Sequence, residues 1–200
     1  MDDEFVRLLL AGSTIYSPTL TVPDGYQRLA AAVLAGEAPA VDDPNGCVDA
    51  ATRAKVASSA GLGAGELTAE GLERRAARTA ERARIGALNL ARLAEVGVPI
   101  AMGTDAGNPM TLHGPSVYAE MEAMQAAGMP PMEVIVAATA NGARALGRDD
   151  LGTVEAGKIA DLLVLGADPT VDAAAFRQVS HVVRAGVLRP VVELAARAAP

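Results

Sequence analysis

Aromatic residues, cysteine and histidine are all scarce in this chain of 200 residues. With no Trp, two Phe and three Tyr, the core must be assembled from Ala, Val, Leu, Ile and Met. A single cysteine, Cys47, has no partner for an intrachain disulfide, which points to a reducing, cytoplasmic setting. Two His and one Cys exclude a self-contained zinc finger, an iron–sulfur site and a three-histidine zinc site. Positive charge is also short: 17 Lys and Arg against 24 Asp and Glu leave a formal charge of −7. That balance argues against general affinity for nucleic acid or for an anionic membrane, both of which rest on basic side chains. No apolar run approaches the ~18 residues that span a bilayer. The opening Met1-Asp2-Asp3-Glu4 is the opposite of a basic signal-peptide start. At 200 residues the chain is one domain, or one with a small appendage, and it falls short of the roughly 250 residues of a closed eight-stranded α/β barrel.

Half the residues are hydrophobic and 20% are charged, a globular composition. Residues 3–10 read as a helix stopped by Gly12, and residues 13–22 as a strand carrying Ile15, Tyr16 and Leu20. Residues 26–34 read as a helix, 36–46 as a Pro/Asp/Asn loop, and 50–60 as another helix. The run Gly61-Leu62-Gly63-Ala64-Gly65 follows a helix and lacks the last glycine of a dinucleotide fingerprint, so it reads as a loop. Thr68 is an N-cap. Beyond it Leu72, Ala76, Ala80, Ala83, Ala87, Leu90 and Ala94 form one apolar stripe of a long helix ended by Gly97. The arginines of that helix, interleaved with Glu73 and Glu81, read as a solvated face. Residues 98–102 are continuously apolar, as in a parallel strand covered on both faces. Helices are expected over 115–127 and 131–146. From Gly152 the pattern changes to short strands, at 152–154, 160–165, 179–184 and 187–191, joined by Gly-containing turns.

Asp105 is the leading chemical candidate. It follows the apolar 98–102 segment, at the carboxyl end of a strand, where α/β folds place their sites. A carboxylate there can ligate a divalent metal and take a proton from bound water. It equally suits a loop cap, and the residues alone leave both open. His113, in the loop before the next helix, is a candidate for substrate or metal contact, against a purely structural hydrogen bond. His181, in an expected appendage strand, reads as structural. Cys47 has no evident base beside it, and the methionines between 102 and 132 read as core filling.

Taken together, Gly103-Thr104-Asp105-Ala106-Gly107, Leu112-His113-Gly114, the run from Ala138-Thr139 to Leu146-Gly147, Gly152-Thr153-Val154-Glu155-Ala156-Gly157-Lys158 and Ala160-Asp161-Leu162 resemble the carboxyl-terminal half of metal-dependent amidohydrolases. The likeness is to the imidazolonepropionase-like and prolidase-like branch. Tyr16-Ser17-Pro18-Thr19-Leu20 adds to it. The resemblance implies an α/β fold: residues 1–150 as the carboxyl-terminal part of a (β/α)8 TIM barrel, and residues 151–200 as the carboxyl-terminal strands of a small β-sandwich. It implies a divalent metal, zinc for preference, hydrolysis of a C–N bond in a small amide or cyclic amide, and Asp105 as metal ligand and proton shuttle.

One departure qualifies the resemblance. The family's His-x-His pair, its Lys or Glu on the fourth strand and its later histidines have no counterpart here, because no His precedes His113. The expectation is therefore a fragment of a longer hydrolase, or a chain with a mis-called start, that holds metal only weakly alone. It would leave strand edges open to the missing amino-terminal part of the barrel or to a second copy. A non-catalytic, partner-binding α/β domain is the alternative.

Overall fold

The computed structural model describes residues 1–196. Helix α1, Asp3–Ala11, begins at Asp2, whose side chain accepts from Phe5 N at 2.9 Å. The chain then extends through Tyr16 and turns at Thr19, whose φ is +44°. It enters α2, Val22–Ala35, with Pro23 in the first turn and Gly36 closing the other end in the left-handed region. After a loop, Asp49 caps α3, Ala50–Ser58, and a 3-10 turn, Ser59–Gly61, follows. Helix α4, Ala69–Glu95, starts where Thr68 Oγ1 accepts from Gly71 N at 3.0 Å. Three shorter helices come next: α5, Pro115–Ala126, α6, Pro131–Ala138, and α7, Ala140–Ala145.

The 13–22 segment differs from the strand expected of it. It pairs with the 98–102 segment in parallel, but only through the bridge between Tyr16 and Ile100. Tyr16 N donates to Pro99 O and Ala101 N to Tyr16 O, both at 2.9 Å. Pro18 has no N–H to give, and the left-handed turn at Thr19 ends the extended run. The far edge of the 98–102 segment is not open either. Met102 N donates to Ala137 O at 3.0 Å, and Asn141 Nδ2 donates to Ile100 O at 2.8 Å. The α6–α7 break sits at Thr139 (φ −123°, ψ −84°), so the single helix expected over 131–146 is two. The break lets α6 and α7 turn their ends onto the strand.

The core lies between these segments and the helices. Leu90, Leu93, Met121, Met124 and Val134 are essentially inaccessible, and Val98, Ile100, Met129 and Ala137 complete the cluster. Each large side chain buried in this way stabilises by about 1.5–3 kcal/mol. The stripe of α4 is fully buried only at Leu90; Leu72, Ala87 and Ala94 are half-buried, while Ala76, Ala80 and Ala83 remain exposed.

The carboxyl-terminal appendage is an antiparallel sheet in the order β1-β2-β3: Leu162–Leu165, Val179–Arg184 and Val187–Pro190. Its register places Leu162, Val183 and Leu188 side by side, with Val164, His181 and Pro190 next along. No strand forms over 152–154. A 3-10 turn, Ala173–Arg177, between β1 and β2, packs on α5 and ties the sheet to the body, and α8, Val191–Leu194, follows β3. The closing turn of the hairpin runs through Ala185 (φ +49°) and Gly186 (φ +83°). No helix among the described residues is long and apolar enough to cross a membrane.

Candidate functional site

Asp105 sits in the loop that leaves the buried 98–102 segment. Its backbone is left-handed at φ +50°, and Gly107 follows at φ +112°. The side chain is exposed, and its Oδ2 accepts from Asn108 Nδ2 at 2.9 Å. The carboxylate therefore stands at the carboxyl end of a segment anchored on both edges, where it can accept a proton or bind a cation.

His113 is exposed at the far end of the same loop, just before Gly114 (φ +90°) and α5. It lines a cavity of about 560 Å³ between this loop and α3, together with Asn108, Met110, Leu29, Val48 and Leu62. Asn108 is common to the cavity and to the Asp105 contact, so the two candidates share one loop and one neighbour. Cys47 also borders the cavity. Cys47 is exposed, and partial desolvation of its thiol and the nearby Asp43 carboxylate push its pKa above the ordinary thiol value. His181 lies on β2, with Nδ1 3.2 Å from Ser180 Oγ, outside this region.

Glu120 is the residue that sequence reasoning missed. It has no accessible surface, although it is a carboxylate on α5. Its Oε1 accepts from Leu20 N at 2.6 Å, and its Oε2 from Thr21 N at 2.9 Å and Thr21 Oγ1 at 2.8 Å. Burial outweighs these bonds and raises its pKa above the ordinary carboxylate range. A signal was present: an acid flanked by Tyr118, Met121 and Met124 on the core side of a helix. Glu120 fixes the chain where it turns from the Tyr16 segment into α2.

Several recognisable motif residues turn out to hold shape. Asp161 Oδ1 accepts from Ala185 N at 2.7 Å and its Oδ2 pairs with Arg184, which braces the β2–β3 turn. At Gly152, φ is +93° and an added Cβ would stand 2.7 Å from the Ala143 Cβ, so only glycine fits against α7.

The donor set on this chain does not fit a metal ion by itself. Among the described residues no three His, Cys, Asp or Glu side chains converge on a common point. Asp105 offers a single carboxylate, already bonded to Asn108, against the four ligands of a closed zinc site.

A helix-rich body with one parallel bridge at its centre and an exposed acid just beyond the bridged segment defines an α/β class of domain, and comparison with known proteins makes it specific. The model of the amidohydrolase family matches residues 44–189, and the chain belongs to that family. It is 45% identical over 80 residues to the imidazolonepropionase of Aromatoleum aromaticum, an alignment covering 39% of this chain and 19% of the relative. With the imidazolonepropionase of Cutibacterium acnes it is 43% identical over 77 residues, covering 38% and 19%. The chain thus spans about a fifth of the length of the curated relatives it matches. Among solved structures it is similar to a Xaa-Pro dipeptidase with bound methionine, at a TM-score of 0.63 and 26% identity, over 95% of this chain and 38% of that one. The ochratoxinase of A. niger shares the fold at a TM-score of 0.60 and 24% identity, over 94% and 35%.

Proposed function

We propose that this chain is the carboxyl-terminal part of a metal-dependent amidohydrolase that cleaves a C–N bond in a small amide or cyclic amide. Residues 1–150 form the last part of a (β/α)8 barrel, and the described residues from 151 to 196 contribute strands to a composite β-sandwich, residues 197–200 of the expected unit lying outside the described residues. The observation that carries the reading is the placement of Asp105: an exposed carboxylate on a glycine-flanked turn at the end of a buried, parallel-paired segment. The imidazolonepropionase and Xaa-Pro dipeptidase relatives support a cyclic amide or an amide to proline as the substrate class. A reducing cytoplasm is the setting that fits.

The chemistry assigned to this chain's own residues is proton transfer. The Asp105 carboxylate takes a proton from the attacking water and returns it to the leaving nitrogen. His113, on the cavity wall, contacts the substrate. Asp105 is also the one ligand this chain brings to a divalent ion, zinc for preference. The others belong to a longer protein or a partner chain, in keeping with the incomplete donor set here. The sandwich assignment is supported by the sheet: Leu162 and Leu188 are 38% and 58% exposed on one face, as expected of a layer awaiting a second. The incomplete donor set also favours a second reading, in which the isolated chain only binds a partner.

Replacing Asp105 by Asn in the complete enzyme tests the first reading. It predicts loss of turnover, and full turnover by the variant would refute it.

A further inference from the structure

A proton shuttle needs one carboxylate oxygen held in place and the other left free. Asn108 meets that need for Asp105. Its Nδ2 donates to Asp105 Oδ2 and to Asp105 O, each at 2.9 Å, using both amide hydrogens. The second bond closes the left-handed turn at Asp105, a conformation Asp tolerates better than most residues.

The amide is itself held from the other side. Tyr26 Oη donates to Asn108 Oδ1 at 3.0 Å. A flipped amide would set an N–H against that hydroxyl and an oxygen against two oxygens of Asp105, so the network admits one orientation. Tyr26 lies on α2, and α2 grips the same loop at two further points. At Gly25 an added Cβ would stand 2.4 Å from Pro109 O and 3.0 Å from Thr111 Oγ1, which shows how closely helix and loop approach. Arg28 Nη2 donates to Met110 O at 3.2 Å.

We infer that Asn108 and Tyr26 are positioning residues for Asp105, with α2 as the rigid element behind them. The pair holds Oδ2 and leaves Oδ1 as the free oxygen of the carboxylate. This rests on the proposed role of Asp105.

The test measures carbodiimide coupling of Asp105 in the 200-residue chain at one fixed pH, by peptide mass spectrometry, with exposed Asp149 as the internal reference. Asn108→Ala frees Oδ2 and should raise the Asp105-to-Asp149 coupling ratio about threefold. Tyr26→Phe, which removes one hydroxyl and keeps the ring, should raise it by a smaller factor. If Asn108 only braced the turn through Asp105 O, melting temperature would fall with no change in the ratio. An unchanged ratio in both variants overturns the inference. In a complete enzyme assayed with imidazolonepropionate and a Xaa-Pro dipeptide, Asn108→Ala should lower kcat about tenfold and move KM less than about twofold. A raised KM with unchanged kcat also overturns it. Full kcat in Asp105→Asn would defeat the proposed function instead, leaving the coupling result as the measure of the positioning network.

Discussion

Glu120 and Thr21 are joined twice: one carboxylate oxygen, Oε2, accepts from both the backbone N–H and the hydroxyl of Thr21, at 2.9 and 2.8 Å. This pair, with Leu20 N on Oε1, carries the chain from the Tyr16 segment into α2. The turn that leads into α2, the helix packed on the Asp105 loop, is therefore held by one buried acid of α5.

Glu120→Ala should destabilise the chain by about 1–3 kcal/mol, because Leu20 N, Thr21 N and the Thr21 hydroxyl would lose their buried acceptor. The pH dependence has a definite sign. The folded-state pKa of Glu120 is raised, so the unfolded chain releases this proton first as pH rises. The stability Glu120 contributes is fully present below the unfolded value of about 4.3 and declines as pH climbs through the folded one. Urea unfolding of both proteins from pH 4 upward should therefore show the deficit of the variant shrinking. A deficit that grows with pH would contradict the assignment.

Gly25→Ala should cost about 1–3 kcal/mol, since the new methyl meets Pro109 O at 2.4 Å and helix or loop must move. Gly36→Ala, at φ +69° with open space around it, should cost less, through backbone strain alone. Thermal melts of the two variants compare a close approach with a purely conformational requirement, and equal losses would argue against the tight α2–loop packing.

The isolated chain should self-associate. Ile85 and Leu88 of α4 are 44% and 58% exposed, and the sheet presents Leu163 on one face and Leu188 on the other, at 51% and 58%. Sedimentation should show mass rising with concentration, and Leu163→Lys with Leu188→Lys should reduce it. A monomer at all concentrations would contradict this reading of the open faces.

The isolated chain should also take up zinc only weakly, because Asp105 and His113 cannot complete a tetrahedral site. Equilibrium dialysis checks this. A stoichiometric nanomolar site would mean that ligands converge in a way the structure does not place them.

Local signals marked out much of this fold. Thr68 and Gly97 fix the ends of α4 by capping and left-handed backbone, and short apolar runs between Gly-containing turns located β2 and β3. The place of Asp105 was legible because an apolar run leading into Gly-Thr-Asp-Ala-Gly is local as well. Tertiary facts were not legible. The Tyr16 segment looked like a full strand, yet its pairing depends on a partner some 85 residues away and stops at the turn on Thr19. The break at Thr139 serves the distant edge at Ile100 and Met102. The role of α2 was hidden for the same reason, since Tyr26 meets Asn108 only in the folded chain.

Histidine substitutions should separate the cavity from the sheet. In the complete enzyme His113→Asn should raise KM about tenfold with a smaller effect on kcat. His181→Asn, remote on β2, should leave both constants unchanged. Steady-state kinetics of the two variants checks this, and the reverse pattern would move the site away from the 103–114 loop.

The most direct test of the central claim is the turnover of Asp105→Asn in the complete enzyme, with imidazolonepropionate and a Xaa-Pro dipeptide as probes. The variant keeps the shape of the side chain and removes its charge and basicity. Since general acid–base catalysis contributes roughly 10²–10⁴-fold, kcat should fall by at least that factor while the fold, judged by circular dichroism, is retained. A correctly folded Asp105→Asn enzyme with near-normal kcat would contradict the account.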